Sequence, residues 1–588
     1  AMAFLSYFKA SKADPEVQTD VEISDTSSGP EVIHDGNLAY TRAKAGNGSK
    51  AAYQEAVGAP VETDSPLGYE VGWFTVIFVN INMLIGTGIF SLPANILLRT
   101  GSIGLSLIFW FIGFLMAASG ISLYLEFASY FPNRSGSEVV YLEQAYPRPK
   151  YFFPIAFAVQ EVLLNFGSSN AIVFAEYAWR TGNTVATAWQ KKGVAVAIYT
   201  IAILCVIANN KLAFRVSNVI GVLKLIVVVF IGITGLVVLG GNLDHIPNPT
   251  ANFKNAFDGH VPNGYSLANA LVSVQFAYGG YNNAFNMVNE IKNPIPTLKR
   301  NTTIALVIVS VLYQLCNIAY FAVVPKDEFA SASQTAATLF FERTFRNKGA
   351  TIALNFCVML SAFGNLMAVL IGQSRMIREI GRQGVLPYPE FWASTKPFGT
   401  PLGPCLISWF MTFIMIVAPP AGDAFQFVVD LQSYPSAMFQ VAMTVGIYVL
   451  RWRRRRSGIP RSEFRAWDVA ILFFLAYKVF ILAMPWWPPL GGANGGDVSF
   501  WYATYCVVGI GIIIICGLYY ILWIYVLPKY GKYKIRSEMV ALEDGAAKTH
   551  RLVKVKNEDV EEWDNVHDEA GHLRQRTTTH RDDKAVEE

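Results

Sequence analysis

Residues 80–93 read NINMLIGTGIFSLP: an apolar stretch with Gly86-Thr87-Gly88 at its middle and Pro93 at its end. Glycine is a poor helix former, and proline lacks a backbone donor. In a bilayer such faults are costly unless the interrupted backbone is buried in protein or lines a cavity. A second fault follows in QFAYGGYNNAFN, residues 275–286, where Gly279-Gly280 precedes a run rich in Asn and aromatics. Counted along the apolar segments, the faults fall in spans one and six. Matching interruptions in two halves point to a transporter built from inverted repeats, with its site at the breaks. A broken helix frees N–H groups at the start of one half and C=O groups at the end of the other. The first attract a carboxylate and the second an ammonium. Together they suit the two charged groups that every α-amino acid carries.

Composition supports a membrane chain. Of 588 residues, 53% are hydrophobic and 14% aromatic, and only 15% are charged, against about 25% in soluble proteins. Long apolar runs, such as Val219–Leu239, Thr303–Val324 and Cys506–Leu527, predict about twelve spans. These lie near 72–98, 102–130, 152–180, 193–208, 214–240, 265–289, 301–324, 349–382, 402–418, 423–450, 467–486 and 502–527. The expected fold is therefore an all-α integral membrane protein, a 5+5 inverted repeat with discontinuous helices one and six plus two further helices. Its transporter domain covers 69–530. The polar segments 1–68 and 531–588 have no sustained period and are expected to be tails, the first disordered. The second has room for a short amphipathic piece.

The six cysteines lie in or beside apolar segments without CxxC spacing, which argues against a disulfide framework or a metal site. A net charge of +4 is too diffuse to suggest nucleic acid. No HExxH, GxSxG or P-loop motif points to an enzyme, and no cofactor is expected. Twelve spans put both tails on one side. About twice as many Lys and Arg fall in the loops on that side as on the other, with RWRRRR (451–456) the strongest anchor, so both termini are expected in the cytoplasm. The glycosylation sequons at Asn47, Asn133 and Asn301 would all lie on that inner side.

Several motifs carry a family resemblance. IGTGIF (85–90) resembles the first-helix motif of the amino acid–polyamine–organocation superfamily, and FAYGGYN (276–282) the sixth-helix motif of its L-type branch. The segments at 126–150, SSNAIVFAEY (168–177), IGQSRMIREIGRQGVLP (371–387) and LRWRRR (450–455) are similar to further parts of that branch. The match covers roughly 70–530 and, through YFPNRSGSEVVYLEQAYP and NMVNEIKNP, is nearest to fungal high-affinity methionine permeases. The resemblance implies a leucine-transporter-like fold and a secondary transporter importing neutral L-amino acids, L-methionine among them, by alternating access at the plasma membrane. Gly86, Thr87 and Gly88 would then hold the substrate carboxylate. Ile85 and Phe276 would offer carbonyls to the ammonium, with Asn282 a side-chain acceptor. The Phe276 ring would gate the site, and Gly279 would leave room for the substrate side chain.

Lys224 sits mid-span in SNVIGVLKLIVVVF (217–230). A lysine at the bilayer centre costs about 2.5–3.5 kcal/mol on insertion scales, so it is expected to face the interior. In sodium-independent relatives of this fold, the resemblance implies, a fifth-helix lysine fills the space between helices one and eight that a cation occupies elsewhere. Lys224 matches by motif. Sodium independence and proton coupling follow as expectations, with Lys224, Glu161 and Asp430 the coupling candidates. An amino-acid exchanger and an amino-acid-sensing receptor or transceptor are the alternatives. The loop 180–193 lacks the cysteine that links animal light chains to a glycoprotein, so no covalent heavy-chain partner is expected. The tail lysines Lys9, Lys12, Lys44 and Lys50 are candidate acceptors for the ubiquitin machinery.

Overall fold

The computed structural model describes residues 32–35, 38–44, 46–62, 64–164, 167–182, 186–246, 248–331, 336–418, 424–489, 492, 501–542, 548–568, 571 and 573. Its body is helical. The first span is cut into α1 (Trp73–Leu84) and α2 (Gly88–Ser91), and the chain continues into α3 (Pro93–Thr100). Pro93 opens α3, where its missing N–H costs no intrahelical bond, and Gly101 closes it at a φ of 75°. There follow α4 (Ile103–Tyr130), α5 (Glu138–Ala145), α6 (Phe152–Leu163), α7 (Ser168–Thr181), α8 (Ala188–Ala208) and α9 (Asn210–Leu239). The sixth span is α10 (Gly264–Ala277), then a turn, then a 3₁₀ segment over Asn283–Glu290. The remaining membrane-spanning helices are α11 (Pro294–Val323), α12 (Lys348–Arg382), α13 (Leu402–Val417), α14 (Ala424–Arg456), α15 (Asp468–Ala483) and α16 (Thr504–Ile521), with short helices such as Ala336–Phe345 between them.

Eight stretches among the described residues are long and apolar enough to cross a membrane, the broken first span at Trp73–Ser91 among them. The other four expected spans take different forms. The third is divided between α6 and α7, the sixth is broken, α13 has 16 residues, and α14 runs into its arginine cluster. The fourth span begins five residues before the expected 193, because Thr187 and Gln190 form a reciprocal capping box that starts α8 ahead of Lys191 and Lys192.

The two broken spans run antiparallel. α10 packs on α2 and α3, while the 3₁₀ segment packs on α1. Around them, α9, α11 and α12 all pack against α1, and α12 packs along α7. Each break is thus enclosed by unbroken helices that supply the donors described below.

The polar flanks differ from the expectation of tails without strand period. Residues 32–55 form a three-stranded antiparallel sheet of β1 (Val32–Asp35), β2 (Leu38–Ala43) and β3 (Ala52–Glu55), with Val32 opposite Thr41 and Tyr40 opposite Glu55. Past the last span, β4 (Tyr533–Ala541) and β5 (Lys548–Lys556) pair as a hairpin, followed by a short helix at Val560–Val566. In the first sheet, strands of four to six residues give little alternation to detect, and that sheet rests on the helical body rather than on a core of its own; β4 and β5 have nine residues each. Asn133 Nδ2 donates to Ala43 O, Glu55 N to Gln144 Oε1, and Arg454 to Tyr53 O. Both flanks dock at the same end of the bundle, since Arg382 binds Pro60 O and Lys548 O. The sequons Asn47, Asn133 and Asn301 are buried, which removes them as glycan acceptors.

Candidate functional site

At the first break the helix ends at Ile85, whose φ of −80° and ψ of 74° leave the helical region. Five successive carbonyls are then taken by protein donors. Lys224 Nζ donates to Asn82 O at 2.8 Å and to Ile85 O at 2.6 Å, and reaches Ser361 O at 3.4 Å. Asn365 Nδ2 donates to Asn82 O and Met83 O, at 3.1 and 2.7 Å. Tyr313 OH reaches Leu84 O and also Ala277 O, joining the two breaks. Ser361 Oγ lies 3.2 Å from Ile85 O and 3.0 Å from Gly86 O. A carbonyl has two lone pairs, so Lys224 and Ser361 together occupy Ile85 O in this conformation.

The other side of the break is the start of α2. By position, the N–H groups of Gly88 and Ile89 have no intrahelical acceptor, whereas Phe90 and Ser91 donate to Thr87 O. The Thr87 hydroxyl donates to Asn170 Oδ1 at 3.2 Å, and Asn170 Nδ2 donates to Asn365 Oδ1 at 2.8 Å. A chain of side chains from α7 and α12 thus ties the two half-helices together. Both glycines lie in close contact with neighbouring elements. A Cβ at Gly86 would sit 2.7 Å from Asn365 Nδ2, and one at Gly88 would sit 3.0 Å from Ala277 Cα on the partner break.

The sixth break is built differently. Gly279 N donates to Phe276 O at 3.0 Å and Asn283 N to Gly280 O at 3.0 Å, so the turn closes on itself. Gly280 has a φ of +99°, and a Cβ there would lie 2.1 Å from Met83 Cγ. At Gly279 the nearest atom to such a Cβ is Phe276 O, at 3.0 Å. Gln275, Phe276, Gly279 and Asn282 are partly exposed, in contrast to buried Ile85, Gly86, Thr87 and Gly88. Asn282 Nδ2 donates to Glu138 Oε1 at 3.0 Å, so its amide is turned to a carboxylate of α5.

The structure therefore brings Ile85, Gly86, Thr87, Gly88, Phe276, Gly279 and Asn282 to two facing breaks. Lys224 joins them, 2% exposed, between α1 and α12. Asp430 lies apart, grouped with Val272, Tyr434, Ile481 and Tyr505. Glu161, on α6, is partly exposed and makes no ion pair among the described residues. Ser361, Asn365, Asn170 and Tyr313 were not singled out in the sequence. Ser361 and Asn365 are one turn apart on an apolar span, and that spacing puts both on one face.

At the end where the flanks dock, charges are buried in pairs. Arg134 bonds Glu143 and Glu379, Arg375 bonds Glu290 at 3.0 Å, and Arg378 and Arg382 bond Glu62 at 2.6 and 3.3 Å. Burial alone would lower the Arg134 pKa. Glu143 and Glu379 outweigh it and hold the guanidinium above its ordinary value. Glu126 accepts both 2.7 Å bonds of Arg451 and one from Ala466 N.

The sequence profile of the amino acid permease family matches residues 71–526, which include both breaks and every bundle helix. The chain belongs to the amino acid permease family. This permease is 36% identical over 482 residues to the high-affinity methionine permease of Saccharomyces cerevisiae, covering 81% of this chain and 83% of that one. It is 26% identical over 562 residues to the low-affinity methionine permease of the same yeast, covering 93% and 98%. It is 28% identical over 400 residues to the human b(0,+)-type amino acid transporter 1, covering 66% and 78%. The permease is a multi-pass membrane protein that handles amino acids, and its relatives are transporters rather than enzymes.

Proposed function

We propose that this permease is a secondary active importer of neutral L-amino acids, with L-methionine a principal substrate, working by alternating access without sodium and with protons. The observation that carries the mechanism is the position of Lys224. Its ammonium fills the space between α1 and α12 and is bonded to carbonyls of both. A cation bound there would meet a fixed positive charge at hydrogen-bond distance, which opposes sodium binding. The substrate carboxylate is assigned to the open N–H groups of α2. Because Ile85 O is engaged, the ammonium is assigned to the sixth break, near the carbonyl of Phe276, whose ring closes over the site. The segments that carry the two breaks are mostly apolar in sequence, which supports a neutral side chain. Methionine is supported by the names of the two yeast relatives.

The tail-bearing face is assigned to the cytoplasm and the membrane to the plasma membrane, supported by the basic residues at that end. Lys44 and Lys50 are exposed there and are offered as ubiquitin acceptors. Lys9 and Lys12 lie outside the described residues.

The deciding experiment is uptake of labelled L-methionine into proteoliposomes in sodium-free buffer, with and without an inward proton gradient. Accumulation driven by the gradient in vesicles without internal amino acid is the expected result. Uptake only against internal amino acid would replace import with exchange. Binding without uptake would replace transport with sensing.

A further inference from the structure

A second lysine lies inside the bundle. Lys478 is on α15, 1% exposed. Its ammonium has three protons to donate, and its hydrogen bond is to a neutral acceptor, Gln275 Oε1 at 2.6 Å. The rings of Phe474 and Tyr477 stand 5.0 and 5.8 Å from Nζ. No carboxylate is within ion-pair distance among the described residues. Lys224, by contrast, meets three backbone carbonyls. Lys224 is anchored, while Lys478 is a buried cation with unused donors, held to a side chain just before the sixth break.

Just after that break, Asn282 is held by Glu138, which is 7% exposed. Tyr124 OH and Ser137 Oγ also contact this carboxylate. Ser137 Oγ contacts Asn286 Oδ1 as well. One hydroxyl proton cannot serve two acceptors. With the Asn286 amide reversed, its NH2 donates to Ser137 Oγ and the hydroxyl proton is left for Glu138. Elements packed against α15 and α5 also carry Tyr124, Tyr130 and Glu126 of α4, Glu161 of α6, Tyr265 of α10, the Arg375, Arg378, Glu379 and Arg382 group of α12, and Asp430, Tyr434, Tyr448, Arg451 and Arg453 to Arg456 of α14, while Tyr141 and Tyr281 stand against Tyr124. Glu126 is committed to Arg451 at the docked end. Glu138 is thus the acidic group tied directly to the break.

These contacts make the two charges sensitive to the break. Lys478 grips its N-terminal side and Glu138 its C-terminal side, and the glycine turn lies between. In a medium of low polarity the attraction of a charge pair changes steeply with separation. Any rearrangement of Gly279-Gly280 alters that separation, and with it the cost of holding Glu138 ionised.

We propose that Glu138 and Lys478 couple protons to transport in this permease: the Glu138 carboxylate takes up one proton on one side of the membrane and releases it on the other, and Lys478 supplies the counter-charge through Gln275. This rests on the proton-coupled reading above. Protonation converts one Glu138 oxygen from acceptor to donor, which loosens the Asn282 contact and frees the second half of the sixth span. Neither residue is assigned to substrate contact.

The test uses the full chain in proteoliposomes, with wild type, Glu138→Gln, Lys478→Met and Lys478→Arg. Two assays are compared: methionine accumulation driven by a proton gradient, and counterflow of labelled against internal methionine at equal pH on both sides. Gradient-driven accumulation is expected to fall about tenfold or more in Glu138→Gln and Lys478→Met. Counterflow should persist at a reduced rate and lose its pH dependence in Glu138→Gln. Lys478→Arg, which keeps the charge, should retain accumulation. Wild-type accumulation in Glu138→Gln and Lys478→Met would overturn the assignment. So would equal losses of both assays in all three variants, which would mark a structural role. If the wild type exchanges but never accumulates, proton coupling itself fails and the assignment falls with it.

Discussion

At the first break, carbonyls from Asn82 to Gly86 are bonded by Lys224, Ser361, Asn365 and Tyr313, and the surrounding residues are buried. At the sixth, the glycine turn is closed mainly by its own backbone, and Gln275, Phe276, Gly279 and Asn282 are partly exposed. Two faults that look alike in sequence are therefore supported differently. The first is clamped by three neighbouring helices. The second depends on local geometry and on side chains that reach it from α5 and α15. Alternating access needs one fixed reference and one part that moves. The clamped break suits the first role and the self-closed turn the second.

The largest effect is expected where the two breaks touch. Gly280→Ala forces a side chain into a left-handed φ and toward Met83 of the first span. The backbone term is about 1–2 kcal/mol, and overpacking adds about 1–3 kcal/mol. Uptake should be abolished and the melting temperature in detergent should drop. Gly279→Ala meets only backbone of its own turn, Phe276 O at 3.0 Å and Gln275 O at 3.4 Å, and should keep its fold while transport weakens. Equal behaviour of the two variants would mean that the turn is not set by contact with Met83.

A smaller effect separates the clamp from the turn. Lys224→Met removes a charged donor from carbonyls that partly retain other partners, Asn365 at Asn82 O and Ser361 at Ile85 O. The expected loss is about 1.5–3 kcal/mol, the range for a hydrogen bond to a charged group, together with loss of transport. Asn282→Ala should leave the melting temperature nearly unchanged and lower uptake, because its site is partly exposed and local. If Asn282→Ala destabilised as much as Lys224→Met, the contrast between a clamped and a yielding break would not hold.

The broken spans were legible because Gly-Thr-Gly and Gly-Gly interrupt otherwise apolar runs, and apolar length alone located the helices to within a few residues. Partners distant in sequence were not legible. Lys224 stood out as a charge in a bilayer, but Lys478 sits in an equally apolar run, AILFFLAYKVF, and was passed over. Glu138 lies outside the spans, in a segment that carried the family resemblance, and only folding brings it to Asn282. Gly280 and Gly279 are adjacent identical letters. Which of them faces Met83 depends on the path of the backbone, and composition carries no trace of it. The short strands of the first flank escaped because their stability comes from Gln144, Arg454 and Asn133 of the body.

The smallest expected effect tests how far the clamp extends into the carboxylate-binding half. Thr87 reaches Asn170 with one hydroxyl bond of 3.2 Å. Thr87→Val keeps the shape and removes the donor, leaving Asn170 Oδ1 buried with one partner fewer. The cost should be about 0.5–1.5 kcal/mol of stability. Thr87→Ser keeps the hydroxyl and should restore it. If the hydroxyl serves only the clamp, the Michaelis constant for methionine uptake should stay near the wild-type value in both variants while thermal stability separates them. If it also donates to the substrate carboxylate, Thr87→Val should raise that constant about fivefold to tenfold, the equivalent of about 1–1.4 kcal/mol, and Thr87→Ser should not. The pair of variants therefore tells whether α2 holds the carboxylate by its backbone alone. The fixed break would then be both anchor and recognition element, with only the sixth span required to move.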